Sequence, residues 1–117
     1  MEGVTARDII ETAVRCARIL EAKKGCDIRI LDLRRVNSYL DFFIITSGNS
    51  QIHCRALSRE AEKFFLQCGI KLKNRPDTES RWILMDFDEI ILHVFTGDMR
   101  DFYQLEKLWA DATIIEY

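Results

Sequence analysis

Histidine occurs twice in this chain, at His53 and His93, and the four cysteines, Cys16, Cys26, Cys54 and Cys68, form neither a CxxC pair nor a zinc-finger spacing. A metal centre built from side chains needs three or four such ligands converging, so none is expected. His53 beside Cys54 would point away from it on a helix. Cys16, Cys54 and Cys68 fall in helical patterns, where small buried thiols are common, and no disulfide framework is implied. There is one proline and there are five glycines, against a hydrophobic share of 48%. That composition excludes a disordered tail or a collagenous repeat. No apolar run approaches the ~20 residues of a membrane span. The N-terminus is charged and lacks the apolar core of a signal peptide, so the expectation is a soluble, cytoplasmic protein that touches no membrane.

What is present is enough for one core. The chain has 117 residues and no Gly/Ser-rich linker, repeat or low-complexity stretch, so it reads as a single domain over 1–117. The net charge of −2 hides an asymmetry: residues 1–75 carry 14 Lys/Arg against 9 Asp/Glu, and residues 76–117 carry 3 against 10. The acidic last third is a poor surface for phosphates and a good one for a basic protein; an ordinary solvated imbalance is the plainer reading.

Thr5 suits a helix N-cap, and Ile9, Ile10, Ala13, Val14, Ala17 and Leu20 follow at helical spacing, with Gly25 as a C-terminal cap. Strands are expected over 27–33 and 41–46, the second apolar on both sides and therefore buried on both faces. Ser47, Gly48 and Asn49 read as a turn. Ser50 caps a second helix that carries Ile52, Ala56, Leu57, Ala61, Phe64 and Phe65 and stops at Gly69. A short strand over 70–73, a polar loop through Pro76, and a hairpin of 81–87 with 90–95 follow. A last helix is expected over 99–109, with Phe102, Leu105 and Trp109 on one stripe. The order α-β-β-α-β-β-β-α excludes a regular alternating sheet and gives an α/β (α+β) fold: a mixed five-stranded sheet with three main helices, one face partly left for a partner.

The most enzyme-like feature is Asp86-Phe87-Asp88 at a strand end together with Ser47-Gly48 before a helix, which resembles parts of the nucleotidyltransferase signature. In that signature the carboxylates follow the Gly-Ser turn closely, whereas here the whole second helix intervenes, and aspartate is in any case a common turn residue. There is no nucleophile elbow around Ser47 or Ser50, and Gly48 is too isolated for a phosphate loop. His93 lies mid-strand between Ile91 and Phe95, where a lone histidine is usually packed and hydrogen-bonded. No basic stripe interleaved with aromatics suggests DNA binding. The reading is of a protein without catalytic residues, metal or cofactor. Trp82, beside Arg81 and the polar loop, is either a core residue or an interface anchor; period alone leaves both open.

Three segments in order resemble one known family: DFFIITSGNS at 41–50, RWILMDFDEIILHVF at 81–95 and RDFYQLEKLWAD at 100–111. The likeness spans about residues 6–116 and is to the ribosomal silencing factor, RsfS or Iojap-like, family. It implies a fold related to nucleotidyltransferases without their catalytic residues. It also implies a protein that binds the large ribosomal subunit through ribosomal protein L fourteen, hinders joining of the small subunit and damps translation when nutrients are short. Organelle members take part in large-subunit assembly, and members form homodimers when free. Carried over by residue, Trp82 matches the interface tryptophan, with Arg81, Asp86, His93 and Phe95 in the same signature and Arg100, Tyr103, Glu106 and Trp109 in the third. Asp88 departs from the family, whose members usually have glycine in that turn.

Overall fold

The computed structural model describes residues 6–117; the expected Thr5 cap lies outside them. The elements are α1 (Ala6–Ala22), β1 (Cys26–Asp32), β2 (Phe42–Gly48), α2 (Gln51–Gln67), β3 (Trp82–Asp86), β4 (Ile90–Thr96), α3 (Gly97–Tyr103), a single turn α4 (Leu105–Leu108) and β5 (Thr113–Ile114). The strands form one sheet in the order β3-β4-β2-β1-β5. The β2–β4 pair is parallel and the other three are antiparallel.

Side chains alternate across each strand, so the sheet has two distinct faces. On one, Ile30, Phe42, Ile44, Ile83, Met85, Ile90, Leu92 and Val94 pack under α1 and α2. The helices answer at i, i+3 and i+4 with Ile9, Ala13, Cys16, Ala17 and Leu20 from α1, and with Cys54, Leu57, Ala61, Phe64 and Phe65 from α2. On the other face a smaller cluster of Leu31, Leu33, Phe43, Ile45, Phe95 and Leu105 is fringed by half-buried Trp82, Ile91, Met99 and Trp109. Every residue of β2 is buried, which accounts for its apolar run from Phe42 to Ile45. Burial of Cys16 among these groups pushes its thiol up to about 12, as expected for a packing cysteine; Cys68, by contrast, is exposed at the end of α2.

Capping follows the sequence at α2. The Ser50 side chain accepts from the His53 N–H (3.0 Å). Gly69, at φ +79°, ends the helix, with Ile70 N–H donating to the Phe65 carbonyl (2.8 Å). At α1 the left-handed residue is Lys24 (φ 71°), and Gly25 lies one position later, donating to the Leu20 carbonyl (2.8 Å).

Two expected elements differ. The segment 70–73 is not a strand: Ile70 and Leu72 pack against the helical-face core, and only Lys73 N–H reaches β3, at the Asp86 carbonyl (2.8 Å). The next residue takes over through its side chain: Asn74 donates Nδ2 to the Leu84 carbonyl (2.8 Å) and accepts the Asp86 N–H on Oδ1 (2.9 Å). The fifth strand is instead β5, which pairs with Leu31 and Asp32. The last helix is broken at Gln104, a left-handed residue (φ 47°, ψ 53°). The single stripe therefore splits: Phe102 is 75% exposed while Leu105 is buried.

Candidate partner-binding face

Register builds this face. Trp82 pairs with Phe95, Leu84 with His93 and Asp86 with Ile91 across β3–β4, and Phe43 and Ile45 of β2 lie beside Ile91 and His93. The Trp82 indole stacks on Phe95 (centroids 5.0 Å, 27°) and meets Tyr103 from α3 at 4.8 Å. Its Nε1–H donates to His93 Nδ1 at 3.0 Å. The His93 ring meets Phe43 edge-on at 4.4 Å, and Phe43 meets Trp109 edge-on at 6.0 Å. Six aromatic rings thus run across the sheet from Tyr103 to Trp109, and Trp82, His93 and Phe95 each meet three ring neighbours.

His93 is 3% exposed, and burial pushes its imidazole down to about 3, so the ring is neutral at physiological pH. Accepting the indole proton on Nδ1 places the ring's own proton on Nε2, a buried atom with no hydrogen-bond partner. Next to this packed centre the surface opens. Leu84 is 38% exposed and Tyr103 48%, with Phe102 beyond.

The remaining sequence candidates fall into two groups. Arg81 lies at the rim, within 3.4 Å of Asp98, whose carboxylate is held below the usual range first by the Thr96 hydroxyl at 2.6 Å. Asp86, at the far end of β3, accepts the Asp88 N–H (2.8 Å). Arg100 is buried rather than offered: it donates to Glu106 from Nε (3.0 Å) and Nη2 (2.8 Å), and from Nη1 to the Cys26 carbonyl (3.2 Å) and Ser47 Oγ (3.3 Å). Six residues apart, Arg100 and Glu106 would sit ~240° apart around a continuous helix; the Gln104 break brings them together. A cleft of about 360 Å³ adjoins them, lined by Asp27, Ser47, Arg100 and Glu106, but the arginine in its wall is already satisfied.

The face therefore gathers Trp82, His93, Phe95 and Tyr103 directly, with Trp109 at its far end and Arg100 and Glu106 as a brace for α3 and α4. Phe43, Leu84 and Phe102 also belong to it. Phe43 was legible only as a buried strand residue, because its contact with His93 depends on a parallel pairing that sequence alone does not reveal.

The arrangement gives no support to a nucleotide site. Ser47 pairs with Phe95, whereas Asp86 pairs with Ile91, four residues away on β4, or roughly 13 Å along the strand. The Gly-Ser element and the carboxylates thus lie at opposite ends of the sheet. Gly48 has a packing reason to be glycine: a Cβ there would stand 2.8 Å from Cys54 Sγ and 3.0 Å from its backbone nitrogen. Among the described residues no group of three or more His, Cys, Asp or Glu could hold a metal ion, and no helix is long and apolar enough to cross a membrane.

Fold and face together define a small α+β domain that offers an aromatic, braced sheet face. Comparison with known proteins gives that class a family. The family model described as "Ribosomal silencing factor during starvation" matches residues 6–117. Ribosomal silencing factor RsfS of Halalkalibacterium halodurans is 33% identical over 111 residues, 94% of this chain and 92% of that one. Its counterpart in Bacillus subtilis is 36% identical over 101 residues, 86% of each chain. A crystal structure of a Chromobacterium violaceum protein superposes with a TM-score of 0.80 at 28% identity, covering 92% of this chain and 88% of that one. The chain belongs to the ribosomal silencing factor family.

Proposed function

We propose that this protein represses translation by occupancy: it binds the large ribosomal subunit through ribosomal protein L fourteen and prevents the small subunit from joining when nutrients are limiting. The observation that carries this reading is the Trp82 face, an aromatic anchor fixed by Phe95, Tyr103 and His93 and bordered by exposed Leu84 and Phe102. A large indole held in place at the edge of an apolar patch has lost its rotamer freedom before binding, which is the character of an interface hot spot. Occupancy requires no covalent step and therefore no cofactor. The acidic residues of the last third, including Asp98, Asp101, Glu106 and Asp111, lie on the α3–α4 side and suit a basic ribosomal protein. When no ribosome is available, the same apolar face serves a homodimer, so the dimer and the ribosome compete for it.

Co-sedimentation with isolated large and small ribosomal subunits tests this directly. Selective binding to the large subunit is expected, with Trp82→Ala weakening it by at least about 30-fold, the size of a hot-spot loss. Binding to neither subunit, or full binding by a folded Trp82→Ala protein, would overturn the assignment. Enrichment on immature rather than mature large subunits would move the role from silencing to assembly.

A further inference from the structure

The hydrogen bond between Trp82 and His93 is costly in a way that needs a reason. A histidine on a sheet face that is 3% exposed loses its hydration, and its Nε2–H finds no acceptor among the described residues. A leucine or phenylalanine at position 93 would fill the same place among Phe43, Phe95 and Ile45 without burying an unpaired donor. What only the histidine supplies is Nδ1, the acceptor 3.0 Å from the Trp82 indole nitrogen.

We infer that His93 is a positioning residue for the partner-binding face: it fixes the orientation of Trp82 and takes up the indole N–H internally, so that Trp82 offers its partner hydrocarbon and no hydrogen-bond donor. Ring contacts, stacked on Phe95 (27°) and tilted against Tyr103 (51°), are apolar and set no hydrogen-bond direction for the indole; one directional bond to His93 does. Because the donor is already satisfied, a carbonyl or carboxylate aimed at this spot gains nothing from it. The matching group on the partner is an aliphatic side chain, or the methylene stem of a lysine or arginine whose charge reaches the acidic rim. This inference rests on the assignment of Trp82 to the interface.

The test uses the full chain and isolated large subunits, with three variants. His93→Leu removes the acceptor; His93→Asn keeps one close to the position of Nδ1; Trp82→Ala reports on the assignment beneath. His93→Leu is expected to be at least as stable to heat as the parent, to expose the Trp82 indole proton to rapid hydrogen exchange, and to bind the large subunit at least about tenfold more weakly. His93→Asn is expected to keep the protected indole proton and bind within about threefold of the parent. His93→Leu binding as the parent does, while Trp82→Ala fails, would sink the positioning role and leave the interface standing. Loss of affinity only in proportion to lost stability would sink it as well. Should His93→Leu not fold, the parent protein decides: an indole proton of Trp82 that exchanges as fast as a free indole overturns the inference. Parent-like binding by Trp82→Ala removes the reading beneath it.

Discussion

Asp88 sits at φ 75°, a left-handed backbone conformation in the two-residue turn between β3 and β4. An L-side chain pays there, aspartate less than most, and its exposed contact with Lys73 at 3.4 Å returns little. Glycine is what the turn geometry asks for. Asp88→Gly should therefore raise stability by about 0.5–1 kcal/mol, read from urea unfolding, without moving the binding face. His93 makes the opposite trade. Its pKa falls from an ordinary ~6.5 in the unfolded chain to about 3 in the fold, so between those values the unfolded chain binds the additional proton. Above pH ~6.5 this titration costs the fold nothing; below it, stability falls as the pH drops toward about 3, by about 1.4 kcal/mol per unit. Urea midpoints measured from pH 7 to pH 5 should drop more steeply for the parent than for His93→Leu; parallel curves would show that His93 does not carry the effect. At this scale the sequence was legible for Ser50 and Gly69, whose capping chemistry is local. It left Trp82 open, because alternation places a side chain on a face without saying what covers that face.

Among the elements, α3 and α4 depend on one another through Arg100. Its guanidinium, 7% exposed, joins Glu106, the Cys26 carbonyl and Ser47 and so ties the broken helix to the ends of β1 and β2. Removing the arginine strands the half-buried Glu106 carboxylate, while the Cys26 carbonyl keeps the Thr46 and Ser47 hydroxyls. Arg100→Ala should cost about 3 kcal/mol in chemical unfolding, and Tyr103, which packs on Trp82 from the same helix, should lose its fixed ring position by NMR. A variant with parent-like stability would show that apolar packing alone holds α3 in place. Local pattern did not foretell the break, because every residue of 99–109 tolerates a helix; the left-handed turn at Gln104 is imposed by the Arg100–Glu106 contact and by burial of Leu105. The segment 70–73 misled for a related reason. The alternation of Ile70 and Leu72 reflects packing against the core, which strand pairing and a docked loop produce alike.

For the whole molecule the informative property is polarity of charge along the chain, basic through residue 75 and acidic after it. If the acidic part meets a basic ribosomal protein, raising ionic strength should weaken binding to the large subunit, mostly through a slower association rate, while the Trp82→Ala defect persists at every salt concentration. Salt-independent binding would assign the interface to apolar contact alone. The sheet class and the two-faced burial of β2 could both be read from the sequence. The order of the strands could not, since it turns on β2 lying parallel to β4 across an intervening helix and strand.

The loop at Lys73 and Asn74 does more than end a turn. By occupying the Leu84 carbonyl and both backbone groups of Asp86, it leaves the outer side of β3 with those groups already satisfied, while the opposite margin of the sheet ends in the two residues of β5. A foreign strand finds little to zip onto along the Leu84–Asp86 stretch of β3. A sheet covered along that margin is spared the open-ended, strand-by-strand stacking through which a stored sheet grows into a fibre.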